Sequence, residues 1–262
     1  MDAKNKKSYG IAICKMGKDG SELFMCRKRV TYEFNEFVYG KYDGREKLSQ
    51  LINGMTHQEK MAILTFNFDR LWYQLTLSNV SHSPRSFSHQ CKKKFEETFV
   101  DDMKEYLMDI ISVSRNGYKV WEIPKGRPDN WEKPLDTAIR EVAEEANITP
   151  AQYTLSFNKR YVFKTIDYGV TYHMYYFMAK LNDCSQITYK SAEWHHEEID
   201  QVKWWSVAEI EKMCKHTSQF TRTYFEFAKM ILGDFIGHDD IEELPQASYE
   251  EHTDTNQDYP QF

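Results

Sequence analysis

The stretch "WEIPKGRPDNWEKPLDTAIREVAEEANI", residues 121–148, joins a loop that contains Pro and Gly to a short amphipathic run. From Glu132 onward, apolar residues recur at spacings of three and four, the period of a helix that buries one stripe of its surface. With 3.6 residues per turn, the run predicts a helix of about four turns packed against a core. The predicted stripe consists of Leu135, Ala138, Ile139, Val142 and Ala146.

Three carboxylates occupy another face of this predicted helix. Glu141, Glu144 and Glu145 (the helix acids) fall within a sector of about 100°. Like charges at this spacing destabilise an isolated helix, so the cluster requires a compensating positive charge. Carboxylate oxygens suit Mg²⁺ or Mn²⁺, ions that commonly bridge such groups to phosphate. The cluster therefore favours a divalent-cation site, whereas a Glu-rich run standing alone is more often a solvated acidic face.

The loop and helix together resemble the signature of the Nudix hydrolases, GX5EX7REUXEEXGU, in which U is apolar. The one departure is Asn147, where the family usually has glycine. Because Asn tolerates the left-handed conformation that ends many helices, we expect this change to be mild. The first glycine and every charged position of the signature match at the family's spacing: Gly126, Glu132, Arg140, Glu141, Glu144 and Glu145.

The resemblance implies a Nudix α/β/α sandwich of the α+β class and hydrolysis of a nucleoside diphosphate linked to another group. Attack of water on a diphosphate requires charge neutralisation, an aligned nucleophile and a base, and metal ions supply the first two. By the family pattern the helix acids hold the metal, and Arg140 orients them through an ion pair. Gly126 is expected to give the loop its turn, and Glu132 to stabilise the loop and the start of the helix.

The rest of the chain indicates a fold interrupted by an insertion. Two β-patterned runs, residues 8–14 and 22–29, flank a turn with Gly and Asp, and helical periodicity then continues to about residue 113. Within that block the sequence predicts helices over 56–77, with a capping box of Thr56 and Glu59, and over 91–113. The predicted parts are 1–30 (first part of the Nudix domain), 31–117 (inserted helical domain), 118–236 (Nudix domain with C-terminal helices) and 237–262 (acidic, disordered tail).

The residues beside the motif resemble those of mRNA-decapping enzymes. "WEIPKGRP" is similar to their Trp-x-x-Pro-Lys-Gly-Lys motif, and residues 8–235 resemble the decapping enzymes of large DNA viruses, of African swine fever virus and poxvirus type. The whole chain looks like a mimivirus-type, giant-virus homologue. The likeness implies Mg²⁺ or Mn²⁺ as cofactor, capped mRNA as partner, and release of m7GDP and 5′-monophosphate RNA in a host cytoplasm. Lys125, Gly126 and Arg127 are then expected to contact the cap phosphates.

A further acid is expected on a loop after the Nudix helix, by the same likeness. "EEIDQVKW" fits the Glu-Ile-x-x-apolar setting at Glu198, which we expect to act as general base or extra metal ligand. Glu197 is the alternative, and otherwise both are ordinary loop residues. His195 and His196 lie beside them, but two histidines in a polar loop are more often solvated than ligands.

Two groups of residues are candidates for holding the RNA. The run Lys92, Lys93 and Lys94 could bind phosphates, although a solvated helix start explains it equally well. A methylated guanine is cationic and stacks on aromatic rings. Core packing competes with that role for the aromatic residues that could line such a slot: Tyr32, Phe34, Phe37, Tyr39 and Tyr42.

Composition sets the outer limits. No apolar run approaches the roughly 20 residues of a membrane span, and five scattered cysteines without Cys-x-x-Cys spacing favour a reducing, cytosol-like compartment. Two other functions stay open. One is a Nudix hydrolase of diphosphoinositol polyphosphates or free nucleotides, and the other is a catalytically inactive Nudix-fold RNA-binding module, which has no need of a mutually repelling acid cluster.

Overall fold

The structure, a computed structural model, describes residues 4–65, 67–77, 87–167, 169–182, 198–214 and 219–236. His195, His196, Glu197 and the acidic tail lie outside the described residues. Within them the cysteines are buried and free of disulfides, and no helix is both long and apolar enough to cross a membrane.

A mixed sheet forms the centre of the molecule. Its main path runs β3-β2-β1-β6-β5, with β4 paired to β1 and β7 paired to β2; β1 and β6 run parallel, and the other pairs are antiparallel. The sheet confirms the predicted first hairpin. The described strands are β1 Lys4–Gly17, β2 Gly20–Lys28, β3 Trp121–Glu122, β4 Lys125–Gly126, β5 Tyr153–Asp167, β6 Val170–Leu181 and β7 Ile199–Ser206.

Helices cover both faces of this sheet and form the insertion. Their bounds in the described residues are α1 Tyr32–Val38, α2 Gly44–Gly54, α3 His57–Thr65, α4 Phe68–Thr76, α5 Phe87–Thr98, α6 Asp101–Val113, α7 Pro134–Ala146, α8 Val207–Cys214 and α9 Gln219–Ile236. The predicted helix over the motif is α7, which begins at Pro134 rather than at Glu132 because proline is favoured in a first turn. It ends at Asn147, whose φ of 53° confirms the left-handed cap.

Two hydrophobic layers make the sandwich. On one face Ala138 and Val142 of α7 pack with Ile11 and Phe24 of the sheet, and all four are fully buried. On the other face α9 buries an apolar stripe that includes Phe225 against the same sheet. These layers confirm the predicted α+β class and the Nudix α/β/α sandwich.

The inserted block follows β2 and builds a separate core around Phe34, Leu71 and Trp72. Its boundaries at residues 31 and 117 stay a prediction. The two long helices predicted for it are each broken in two. At the first break the Asn67 side chain accepts a hydrogen bond from the Arg70 N–H (3.1 Å), so a local cap competes with helix continuation. The second break lies at Val100, which precedes α6 with extended backbone angles.

The segment 121–127 is wedged between the two strands of the first hairpin. Glu122 pairs with Cys26 of β2, and Gly126 pairs with Tyr9 of β1. This position of segment 121–127 requires a residue without a side chain in β1, because a Cβ at Gly10 would overlap the Pro124 carbonyl oxygen. The hairpin strands therefore open at this end of the sheet to admit the loop that precedes α7.

Candidate active site

Segment 121–127 is held in place by hydrogen bonds with buried tyrosines. The Ile123 N–H donates to the hydroxyl of Tyr224 on α9 (3.0 Å), and this hydroxyl lies 2.9 Å from that of Tyr176 on β6. Both tyrosines are buried, so these hydrogen bonds are protected from water. Segment 121–127 is therefore held by α9 and β6, two elements that carry none of the motif.

Gly126 allows one of the helix acids to approach the sheet. A Cβ at this position would overlap the carboxylate of Glu141. Gly126 does not have the positive φ that some tight turns require, so the expected turn is not its role here. Glycine is needed because Glu141 occupies the space of a side chain.

Arg140 binds two of the helix acids and the loop at the same time. Its Nη1 donates to Glu141 (2.8 Å) and to Glu144 (2.9 Å), and its Nη2 donates to the Arg127 carbonyl (3.0 Å). Two further bonds of 2.9 Å grip the carboxylate of Glu132 in a fork. One guanidinium thus fixes the relative positions of the loop and of α7.

Glu132 links the loop to the first turn of α7. Besides Arg140, its carboxylate accepts the Asp129 N–H (3.0 Å) and the Thr137 hydroxyl (2.9 Å). These hydrogen bonds, with Arg140 first, lower the pKa of Glu132 from 4.5 to about 2. The residue touches structural partners rather than an open cavity, which agrees with the stabilising role expected for it.

Glu145 has different partners from the other helix acids. It is buried, and its two oxygens accept the ammonium of Lys28 (2.8 Å) and the N–H of Lys125 (3.0 Å). The spacing contained a signal for this burial, because Glu145 lies seven residues after the buried Ala138. Seven residues at 100° each return to within about 20° of the starting direction.

Lys28 also brings Glu198 to the site. Its ammonium donates to a carboxylate oxygen of Glu198 (2.9 Å), and the Arg29 N–H donates to the Glu198 carbonyl (2.6 Å). Burial alone would lower the pKa of Lys28, but Glu145, together with Tyr32 and Glu198, raises that pKa well above its ordinary value. The ammonium therefore stays charged between Glu145 on α7 and Glu198 at the start of β7.

Lys125 faces inward rather than toward open solvent. Its ammonium donates to Glu122 (2.8 Å), a buried carboxylate that also accepts the hydroxyl of Tyr32 (2.8 Å). Of the three residues predicted to contact phosphate, Arg127 is the exposed cation. The sequence prediction missed Lys28 because its partners Glu145 and Glu198 lie far away along the chain, and it missed Glu122 although its partner Lys125 is only three residues away.

The donor set suits a hard divalent cation. Among the described residues, seven carboxylates lie within ion-pair distance of three cations at this site, so negative charge is in excess. Burial, reinforced by Glu145 and Glu144, raises the pKa of Glu141 despite its bond to Arg140. The three helix acids are not gathered into a cage, and no group of three ligating side chains stands ready for a metal within the described residues. Mg²⁺ or Mn²⁺ bound here would have to draw these acids away from Lys28 and Arg140.

Most of the aromatic residues predicted for the cap base are core residues. Phe34, Phe37 and Tyr42 are buried in the inserted block, so that prediction is wrong for them. Tyr39 is half-buried and packs against Trp72 and Phe87. Only Tyr32 of the predicted group is exposed, and its hydroxyl is held by Glu122.

The predicted RNA-binding lysines lie on α5 and each has an acidic neighbour. Lys92 lies 2.9 Å from Asp69, Lys93 3.7 Å from Glu97 and Lys94 2.8 Å from Asp43. A phosphate would have to compete with these partners. Their role in RNA binding stays a prediction.

A row of rings beside the motif was not predicted. Tyr9 stacks on Tyr175 with ring centres 5.3 Å apart, and the ring of His173 lies nearly parallel to that of Tyr175 at 6.2 Å. The alternation in β6 could have indicated it, because the intervening Met174 and Tyr176 are buried. Since Tyr9 pairs directly with Gly126, this aromatic row (Tyr9, Tyr175, His173) begins beside segment 121–127.

Exposed cations flank the aromatic row. Lys7 and Lys164 both lie opposite His173 in the strand register, and both are exposed. Residues opposite each other in a sheet share a face, so these cations lie on the side of the rings. This end of the sheet therefore combines stacking surface with positive charge.

Three comparisons bear on the family. Residues 100–224 match the NUDIX domain. In one isolate of African swine fever virus, the mRNA-decapping protein g5R is 28% identical over 226 residues, which cover 81% of this chain and 90% of the relative. In a second isolate it is 26% identical over 224 residues with the same two shares of 81% and 90%. The asymmetrical bis(5′-nucleosyl)-tetraphosphatase of Caenorhabditis elegans is 34% identical over 106 residues, 38% of this chain and 75% of the relative.

The match to the NUDIX domain includes the motif, segment 121–127 and the helix acids. Nudix hydrolases generally use divalent metals such as Mg²⁺ or Mn²⁺, which agrees with the excess of carboxylates at this site. Sandwich, motif and matched domain agree with one another, and the chain belongs to the Nudix hydrolase family.

Proposed function

We propose that this protein is a metal-dependent mRNA-decapping hydrolase that cleaves the 5′ cap and releases m7GDP and 5′-monophosphate RNA. One observation carries the proposal: the acid cluster and the aromatic row with its cations meet at Gly126. A capped transcript presents both matching groups, a diphosphate bridge and a cationic, stacking base. The g5R relatives support this choice, because the match to them covers 81% of the chain and so extends beyond the Nudix motif.

The chemistry follows from the acids. The oxygen of water forms a bond to one phosphorus of the cap, and the bond from that phosphorus to the oxygen that bridges it to the next phosphorus breaks. The two products are m7GDP and 5′-monophosphate RNA. Mg²⁺ or Mn²⁺, when bound, neutralises the charge of the phosphate groups. The ion would be held by Glu141, Glu144 and Glu145. Glu198 is the proposed acceptor for the water proton, since its side chain is 66% exposed. Arg140 and Lys28 position these acids.

Recognition of the cap would use rings and exposed cations. A methylated guanine carries positive charge and favours the face of an aromatic ring, which Tyr175 and Tyr32 offer. Arg127 is the exposed cation of the loop and is proposed to contact the cap phosphates. Lys125 would act through Glu122 and the loop backbone instead of through a free ammonium. A viral source would place the reaction in the host cytoplasm.

A Nudix hydrolase of small nucleotides is the second candidate. The tetraphosphatase relative favours it, but that match covers only 38% of the chain. A binding module without activity is a third, against which the retained acids argue.

The test is a hydrolysis assay with cap-labelled RNA and Mg²⁺ or Mn²⁺, run beside free cap dinucleotide, diadenosine tetraphosphate and an inositol pyrophosphate. Labelled m7GDP is expected from RNA, and Glu144→Gln should abolish it. Glu97→Gln, an exposed change on α5, is the matched control. Faster turnover of a small substrate than of RNA would support the second candidate, and no turnover of any substrate would support the third.

A further inference from the structure

An open cleft lies between the inserted helices and the sheet. Its volume is about 1120 Å³, and it lies between α3 and α4 on one side and the ends of β2 and β7 on the other. Arg29 lines the sheet side, directly after Lys28, and its N–H bonds the carbonyl of Glu198. Through Arg29 the cleft therefore adjoins the end of β2, the strand that carries Lys28.

Positive charge predominates along the cleft. Arg29, Arg70 and Lys119 line it, together with the carboxylates of Asp69 and Asp200. Asp200 is already bound by both Lys119 (2.6 Å) and Arg27 (2.8 Å), and Asp69 is bound by Lys92 (2.9 Å). Lys119 is one of these partners, and the lining as a whole carries three cations against two carboxylates, an excess of one positive charge. A phosphodiester chain is the ligand class that such a groove attracts.

The uncharged lining fits nucleotides rather than phosphate alone. Tyr73 lines the cleft with about half of its surface exposed. An exposed ring in a basic groove is the usual stacking platform for single-stranded nucleic acid. Met61, also exposed, adds an apolar surface on the same helical side.

One polar atom of this lining is buried without a hydrogen bond in the described part of the chain. The side-chain oxygen of Gln74 is buried and has no hydrogen-bond partner among the residues that the structure describes. Buried acceptors without a donor are uncommon in native proteins and call for an explanation. A ribose 2′-hydroxyl is a donor that RNA carries and DNA lacks, and it would reach this oxygen once the Gln74 side chain turns toward the cleft.

We propose that this cleft binds the single-stranded RNA that follows the cap. Arg29, Arg70 and Lys119 contact its phosphates, Tyr73 stacks a base, and Gln74 accepts a 2′-hydroxyl. The inference rests on the proposed function, since it takes the RNA of a capped transcript as the ligand. It assigns the inserted block a binding surface that differs from the lysines of α5.

The test measures binding of short 5′-monophosphate RNA without a cap, by fluorescence anisotropy at several salt concentrations. Tyr73→Ala should weaken binding about tenfold, the loss typical for one stacked base. Arg70→Ala should weaken it and lower the salt slope by about 0.7, the value for one phosphate contact on a single strand. Gln74→Leu should reduce the preference for RNA over DNA of the same sequence. Lys104→Ala, an exposed lysine on α6 outside the cleft lining, is the matched control, and melting curves check that each variant is folded.

Wild-type affinity in folded Tyr73→Ala and Arg70→Ala proteins would overturn the inference. If Arg70→Ala weakens RNA and tripolyphosphate alike while Tyr73→Ala changes neither, the cleft is a polyphosphate site and the RNA assignment fails. Because binding of uncapped RNA needs no hydrolysis, the two proposals fail separately. If the protein proves inactive on capped RNA but the cleft variants still bind uncapped RNA more weakly than the wild type, the RNA-binding cleft is supported and the proposed function is not.

Discussion

The ammonium of Lys28 lies 2.8 Å from a carboxylate oxygen of Glu145, a residue 117 positions further along the chain. In a protein expected to hold a divalent cation at Glu145, this lysine supplies the positive charge that the buried carboxylate otherwise lacks. Metal and lysine therefore compete for the same acid.

Replacement of Lys28 by Met should destabilise the protein by about 3 kcal/mol, because it leaves Glu145 buried without a partner. Urea unfolding would measure the change, with Lys104→Met as the exposed control. Mg²⁺ should raise the unfolding midpoint of Lys28→Met more than that of the wild type, since the ion replaces the missing charge. Equal Mg²⁺ effects on both proteins would contradict this competition.

Replacement of Gly126 by Ala should reduce hydrolysis about 100-fold, the loss that a displacement of roughly 1 Å can cause in a catalytic group. The added methyl group overlaps the carboxylate of Glu141 and forces it away from Arg140. Steady-state rates on capped RNA would measure the loss. Gly233→Ala is the control, because a Cβ there meets open space on α9. A normal rate in Gly126→Ala would mean that Glu141 needs no close approach to the loop.

A fall in pH should lower the free energy of unfolding of the wild-type protein, partly through Glu132. Its folded pKa of about 2 lies below the ordinary 4.5, so its stabilisation is complete above pH 4.5 and disappears as pH falls toward 2. Glu132→Gln lacks this contribution at every pH, so the stability gap between the two proteins should narrow over that range. Melting temperatures at stepped pH values would reveal it. The exposed variant Glu97→Gln should follow the wild type, and a gap that stays constant would place the effect of Glu132 elsewhere.

Replacement of Tyr175 by Ala should weaken binding of a methylated cap dinucleotide by about tenfold, the typical loss of one stacking partner. The unmethylated dinucleotide should lose less, because it lacks the cationic base that a ring attracts. Isothermal titration in the presence of Mg²⁺ measures both. Tyr118→Ala removes an exposed tyrosine outside the aromatic row and serves as control. Equal losses for the two dinucleotides would exclude Tyr175 from base recognition.

Local pattern predicted the parts of the site that depend on neighbours in sequence. The stripe of α7 and the left-handed cap at Asn147 follow from spacing and residue type alone. The capping box of Thr56 and Glu59 is likewise present, with the Glu59 N–H donating to the Thr56 hydroxyl (3.2 Å). These features are decided within one or two helical turns, where geometry is nearly fixed.

The remainder depends on contacts between distant segments. Glu122 stands between apolar neighbours in a strand pattern, and nothing local shows that the hydroxyl of Tyr32, ninety residues earlier, donates to it. The same limit explains Phe34 and Phe37, whose aromatic character suits a core and a base-binding slot equally. The sequence also could not reveal that Lys28 would be shared by Glu145 and Glu198.

The wedge of segment 121–127 between β1 and β2 has a consequence for the order of folding. The two strands are neighbours in the chain, but the segment that separates their ends is synthesised more than ninety residues after β2 begins. The helical insertion must therefore be looped out, at an entropic cost that grows slowly with its length, before that end of the sheet can close. We therefore expect this end of the sheet, and with it the geometry of the candidate site, to form late in folding.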